Sequence, residues 1–197
     1  MKTRRQILRA AGASATAGGV AFAGCTSGEN DAARTTAVDS FGMTLASDAF
    51  ADGEPIPTRY TCEGADESPP LSVDGVPDGT VSLALVVDDP DAPGTDPYVH
   101  WVVWNLPPDV GTIPAAVPRR ERVEQLGGAV QGTNGSGDVG YAGPCPPTDD
   151  GPHTYRFTLT ALEQTLALDP GARRPALANA TTDVRLAQTR LTGTYER

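Results

Sequence analysis

Residues 88–105 read DDPDAPGTDPYVHWVVWN, and the reading of the whole fold turns on this stretch. It opens on three carboxylates, Asp88, Asp89 and Asp91, turns through X-Pro pairs, and enters an apolar run at Val99 that carries His100. Each proline fixes its own φ and biases its predecessor away from helix, so the segment is a stiff loop. A stiff loop bearing carboxylates beside a strand-borne histidine can hold a small polar site still. His100 is one of two histidines. The other, His153, lies in GPHTYRF (151–157) and reads as the second half of the same site.

Working outward, strict alternation from Tyr98 places Tyr98, His100, Val102 and Trp104 on one face and Val99, Trp101 and Val103 on the other. Both faces carry large apolar groups, which predicts a central strand. Just upstream, SLALVV (82–87) is a continuous apolar run, as expected of a strand covered on both faces, and it delivers the chain to Asp88 and Asp89. Downstream, His153, Tyr155, Phe157, Leu159 and Ala161 share one face, and Thr154, Arg156, Thr158 and Thr160 the other. The second face is polar, so His153 and Tyr155 point inward at a strand end. Short strands are expected over Met43–Ala46 and Val184–Tyr195, with a short helix within 170–183. Residues 109–133 read as a long excursion whose run Arg119-Arg120-Glu121-Arg122 is a solvated surface. Residues 127–151 are dominated by Gly, Pro, Asn and Asp; a loop that long in a compact domain is usually a binding loop. With 22 Gly and 18 Pro in 197 residues, one mainly β domain with many turns is expected.

The formal net charge is −10. Lys2, Arg4, Arg5 and Arg9 are four of the 15 basic residues, so the chain beyond residue 24 sets 25 acidic groups against 11 basic ones, or −14. Such a balance disfavours nucleic acid and anionic membrane surfaces as partners. Lys2 is the only lysine. With the excess of Asp, this reads as a halophilic surface kept hydrated by carboxylates.

The N-terminus reads as an address. TRRQILR (3–9) matches a twin-arginine export signal, an Ala/Gly-rich stretch follows, and FAGC (22–25) resembles a lipobox whose Cys25 is lipidated. Residues 1–24 are therefore expected to be a signal peptide, 25–40 a flexible polar tether, and 41–197 the folded domain. That predicts an extracytoplasmic lipoprotein on the outer face of the cytoplasmic membrane, touching the bilayer only through its anchor. Cys62 and Cys145 remain, and two cysteines in an exported chain favour a disulfide. Asn134-Gly-Ser and Asn179-Ala-Thr are glycosylation sequons, weak as three-residue patterns.

The two histidines, Tyr155 and the aspartates admit four readings. The histidines could be satisfied structural residues. A metal site lacks HxH or HExxH spacing, so none is expected. A hydrolase using His100 and His153 lacks a serine in Gly-x-Ser-x-Gly, and Cys145 lies between prolines. An anion pocket fits best: His and Tyr donate hydrogen bonds, loop amides add more, and Asp89 fixes a histidine tautomer and raises its pKa.

DPDAP (89–93) followed by HWVVWN (100–105), GYAGPCPP (140–147) and HTYRFTLTAL (153–162) resembles the phosphatidylethanolamine-binding protein family, in its prokaryotic Raf kinase inhibitor-like branch. SPPL (68–71), GAVQGTN (128–134) and LTGTY (191–195) extend the resemblance from about Phe41 to Arg197. It implies two packed antiparallel sheets with few short helices and an anion pocket at one end. Carried over by motif, the ligand-binding residues are Asp89, Pro93, His100, Gly143, His153 and Tyr155, with no catalytic residue and no cofactor. The family's usual asparagine–acid–aromatic–glycine loop is replaced by Asn134-Gly135-Ser136-Gly137-Asp138. The expected function is binding of a small anionic, phosphate-bearing ligand without turnover. The alternative is inhibition of a protease or other enzyme, with the Arg119–Arg122 excursion as the interface to an unknown protein target.

Overall fold

The computed structural model describes residues 42–197. The expected signal peptide, Cys25, the tether and Phe41 lie outside the described residues. Nine strands form two antiparallel sheets there. The smaller has the order β1 (Thr44–Ala46), β2 (Leu71–Asp74), β5 (Thr112–Ile113). The larger runs β6 (Arg122–Val123), β7 (Ala129–Gln131), β4 (Tyr98–Leu106), β3 (Ser82–Asp89), β8 (His153–Leu162), β9 (Arg185–Tyr195). One α-helix, α1 (Arg174–Thr181), and two short 3-10 turns, Thr58–Tyr60 and Glu124–Leu126, accompany these strands among the described residues. The two antiparallel sheets and few helices expected from the sequence are what the chain forms.

Strand β3 lies mid-sheet between β4 and β8, which explains an apolar run without alternation. Leu83, Leu85 and Val87 join Leu45, Leu71 and Val73 of the small sheet and Phe157 and Leu159 of β8 in one core. Ala84 faces the other way, in a cluster with Val102, Trp104, Leu166 and Leu177 of α1. Each face of the large sheet thus has its own apolar cover, and a strand serving both must be apolar throughout.

Strand β4 departs from its expected faces. Its pairing with β3 shifts between Val87↔Trp101 and Asp88↔Val99, leaving His100 as an extra residue. An extra residue in one strand is a β-bulge, which re-aims side chains locally. Val99 therefore packs with Val102 and Trp104 on the helix side, while Trp101 and Val103 enter the inter-sheet core. His100 lies on that core side, against Tyr155. Strict alternation had set His100 beside Val102 and Trp104; the bulge overturns that.

The excursion over 109–133 is more structured than a loop, carrying β5, β6, a 3-10 turn (Glu124–Leu126) and β7. Buried Gln131 holds it: its Oε1 accepts from Trp101 Nε1 at 2.6 Å, and its Nε2 donates to the carbonyls of Pro118 and Arg120, both at 2.7 Å. Every polar atom of that amide is satisfied in the core, as burial requires. The sequon at Asn134 is also drawn inward. Asn134 is 2% exposed, donates to Gly140 O at 3.0 Å and accepts from the amides of Ser136 and Asp138, so its amide is not free for a glycan. Asn179, on α1, is exposed.

Candidate ligand-binding site

The ends of β3, β4 and β8 meet the 140–147 loop and the 3-10 turn region around a pocket of about 450 Å³. Five of the six expected residues line it: Asp89, Pro93, His100, Gly143 and His153. Tyr155 does not. It sits beneath the wall, 1% exposed, its ring edge-on to His100 with centroids 5.1 Å apart. Period-two spacing turned Tyr155 to the right face, two residues deeper than the pocket reaches.

Asp89 and His153 are one buried unit. His153 Nδ1 donates to Asp89 Oδ2 at 2.8 Å, and Asp89 Oδ1 accepts the amides of Asp91 and Ala92 at 2.8 and 3.0 Å. The rigid Pro90–Pro93 turn thus folds back onto the carboxylate that precedes it. Burial pulls the His153 pKa down, but the hydrogen bond and charge of Asp89, aided by Asp150, outweigh it and leave the pKa raised. His153 Nε2 faces Asp150 Oδ2 at 3.4 Å.

His100 is held differently. Its Nδ1 lies 2.7 Å from Ala142 O, and a carbonyl can only accept, so Nδ1 carries the proton. Nε2 is left without a protein partner among the described residues. Burial is the main influence on this ring and holds its pKa below the ordinary value, despite the Ala142 carbonyl and nearby aspartates. Tyr155 contributes shape: its hydroxyl is buried and makes no hydrogen bond among the described residues. Burial first, then the charge of Asp89, push its pKa up; Asp89 is near enough to act on it without meeting hydrogen-bond geometry.

Several wall residues escaped the sequence reading. Asp66, at φ 53°, accepts the Gly143 amide at 2.7 Å and pairs with Arg119 at 2.5 Å. That amide, expected to serve a ligand, is therefore occupied. A Cβ on Gly143 would come within 2.7 Å of Tyr60 O and 2.8 Å of Asp66 Oδ1, so the position needs glycine for close packing. Arg119 remains exposed, as expected for its run, but is not a free charge. Tyr98 stacks against His100 with centroids 4.9 Å apart and bonds Ser136 Oγ at 2.6 Å at the rim. Nothing in the sequence links Asp66 to a loop 77 positions away; only the fold does. Cys62 and Cys145 are joined by a disulfide in the pocket wall, Cα atoms 5.5 Å apart.

The sequence profile described as phosphatidylethanolamine-binding protein matches residues 46–196. The chain belongs to the phosphatidylethanolamine-binding protein family. The solved structure of YbcL from E. coli, titled a new member of the mammalian PEBP family, is 35% identical with TM-score 0.74, covering 79% of this chain and 98% of that one. A PEBP homolog from Chlamydia trachomatis is 39% identical with TM-score 0.72, covering 80% and 99%. A UPF0098 protein of Methanothermobacter thermautotrophicus is 47% identical over 79% of this chain and 99% of its own. A Mycobacterium tuberculosis protein named as a candidate lipoprotein, LppC, is 42% identical over 90% of each chain. These relatives place the chain on the prokaryotic side of the PEBP family, and PEBP proteins are generally binders rather than enzymes. Among the described residues no helix is long and apolar enough to cross a membrane.

Proposed function

We propose that this protein is an extracytoplasmic receptor for a small phosphate-bearing anion, bound without turnover and held by His100. One observation carries the reading: among the described residues, His100 Nε2 is the one ring nitrogen of the pocket's histidines with no protein partner. The other ionisable groups compensate one another. Asp66 is answered by Arg119 and the Gly143 amide, Asp89 by His153 and two amides. What is left for a ligand is a histidine whose Nδ1–H is fixed and whose Nε2 can take a proton. A neutral ring accepts from the hydroxyl of a phosphate monoanion; a protonated one pairs with the dianion. Either way the complex holds one more proton than the separated dianion and neutral ring.

The absence of turnover is supported by what faces His153. The Asp89–His153 pair resembles the acid–base half of a nucleophilic triad, but His153 Nε2 meets the Asp150 carboxylate, not a hydroxyl or thiol. Cys145, the one thiol-bearing position in the wall besides Cys62, is in the disulfide. The pocket's phosphate class also agrees with what the family's name describes.

Export and anchoring through Cys25 are part of the same proposal. The alignment with the lipoprotein-named relative covers 90% of 197 residues, more than the 156 from Gly42 onward, so it reaches into the N-terminal region carrying the lipobox-like FAGC. Wild type should incorporate a lipid label that Cys25→Ser does not; a wild-type chain that takes up no label contradicts the anchor. For the pocket, calorimetric titration with phosphoethanolamine in two buffers of different ionisation enthalpy should show net proton uptake at pH 7.5. No proton uptake, or no binding, contradicts the role of His100.

A further inference from the structure

The helix side of the large sheet carries a second cavity, about 430 Å³, between α1 and strands β3, β8 and β9. Its walls reverse the charge of the molecule. From Gly42 to Arg197 there are ten arginines, and four of them, Arg156, Arg174, Arg185 and Arg190, line this one groove. Of the 22 carboxylates over the same residues, Asp88 alone does so. In a domain that repels anions overall, such a concentration of guanidinium groups is a local positive well.

The arrangement is also preorganised. Asp88, 4% exposed, is gripped by Arg156 through Nε and Nη2 at 2.8 and 2.9 Å, and by Arg174 at 3.1 Å. One buried carboxylate thus fixes two guanidiniums and neutralises one of them. On β9, Arg190 lies opposite Thr158 and donates to its hydroxyl at 3.3 Å, and the groove's ion pairs among the described residues are the two to Asp88. The groove therefore presents two guanidiniums fixed on Asp88 and two more on β9, Arg190 opposite Thr158 and Arg185 opposite Leu162, with no ion pair of their own among the described residues. Planar guanidinium forks suit tetrahedral oxyanions, which accept several N–H groups at once.

We infer that this groove is a second anion site, distinct from the His100 pocket, for a ligand carrying one or two phosphate groups. It lies on the opposite face of the sheet, because Asp88 and Asp89 are successive residues of β3 and point to opposite sides. The same alternation gives β8 two sites: His153 serves one face, and Arg156 with Thr158 the other.

The probe is pyrophosphate, titrated into the full-length protein at low salt, where exposed arginines are unscreened. Arg185 and Arg190 are both exposed, so Arg185→Gln with Arg190→Gln removes two charges without disturbing the core. Pyrophosphate binding should persist in His100→Ala, and in that background Arg185→Gln with Arg190→Gln should weaken it roughly ten-fold. A parallel sedimentation arm compares phosphatidylcholine vesicles with and without phosphatidylglycerol, using the Cys25→Ser chain. Pyrophosphate binding that depends on Arg185 and Arg190 assigns the site to a soluble phosphate. Dependence seen only with phosphatidylglycerol assigns it to a lipid headgroup. If neither probe distinguishes the double variant from its parent chain, the inference fails. If His100→Ala abolishes all pyrophosphate binding while the double variant keeps it, the groove is not a site and the His100 pocket stands alone.

Discussion

His153 donates to Asp89 across two adjacent strands at 2.8 Å, with both side chains almost wholly buried. The bond ties the end of β8 to the Pro90–Pro93 turn, so the pocket's floor and rim are one mechanical unit. Asp89→Asn keeps the shape but removes the charge that raises the His153 pKa. It should cost about 3–5 kcal/mol, the range for breaking a buried pair by removing one partner. Urea denaturation checks this; a cost below about 1 kcal/mol would mean the pair contributes little.

The two histidines pull stability in opposite directions with pH. The folded pKa of His153 is raised, so its contribution is complete below the unfolded value of about 6.5 and is lost as pH rises through the folded value. The folded pKa of His100 is lowered, so the native state resists protonating it. Its effect is absent above about 6.5 and destabilises progressively as pH falls toward the folded value. His100→Asn should therefore flatten the acid limb of the stability profile, and His153→Asn the alkaline limb. Denaturant midpoints from pH 5 to 9 measure both; identical profiles for the two variants would contradict the assignment.

Tyr155→Phe removes a buried hydroxyl that has no hydrogen-bond partner among the described residues. Stability should hold or rise by about 1 kcal/mol, because an unsatisfied polar group is costly to bury. Phosphate-ester affinity should change less than about two-fold, since the hydroxyl stands behind His100 and not in the wall. A large loss of affinity in Tyr155→Phe would show that the hydroxyl reaches the ligand.

Gln131→Leu leaves Trp101 Nε1 unpaired in the core and frees two carbonyls of the 118–120 segment. The expected loss is about 2–4 kcal/mol, a sum of unsatisfied buried groups. Thermal unfolding reads it, and a neutral effect would argue that water replaces the amide.

Breaking Cys62–Cys145 releases an 83-residue closure. On the chain-entropy account Cys145→Ser should cost up to about 4 kcal/mol. Because both cysteines sit in the pocket wall, phosphate-ester affinity should fall too. Reductant that lowers the melting temperature of wild type but not of Cys145→Ser confirms the bond in the purified protein.

Much of this architecture is legible in the residues. SLALVV declares a strand covered on both faces, and HTYRFTLTAL declares one with a polar side, because burial imposes those periods directly. His100 is misplaced by the same reasoning, since a single bulge shifts the period and leaves no mark in composition. Asp66 is invisible because its importance rests on Gly143 and Arg119, which come near it only in the folded chain. The polar face of β8 looks like a solvated surface until α1 closes over it and Arg174, Arg185 and Arg190 gather beside Arg156. Periodicity reveals which side a residue takes, but not what else arrives there.

On the proposed function, His100 holds a phosphate-bearing ligand. Its most direct test is calorimetric titration of wild type and His100→Ala with phosphoethanolamine in molar salt at pH 6 and pH 8. Wild type should bind, and bind more tightly at pH 6, where the ring is more readily protonated. His100→Ala should lose about ten-fold or more in affinity with its circular dichroism spectrum unchanged. Equal affinity in the two proteins, or no heat at either pH, would contradict the account.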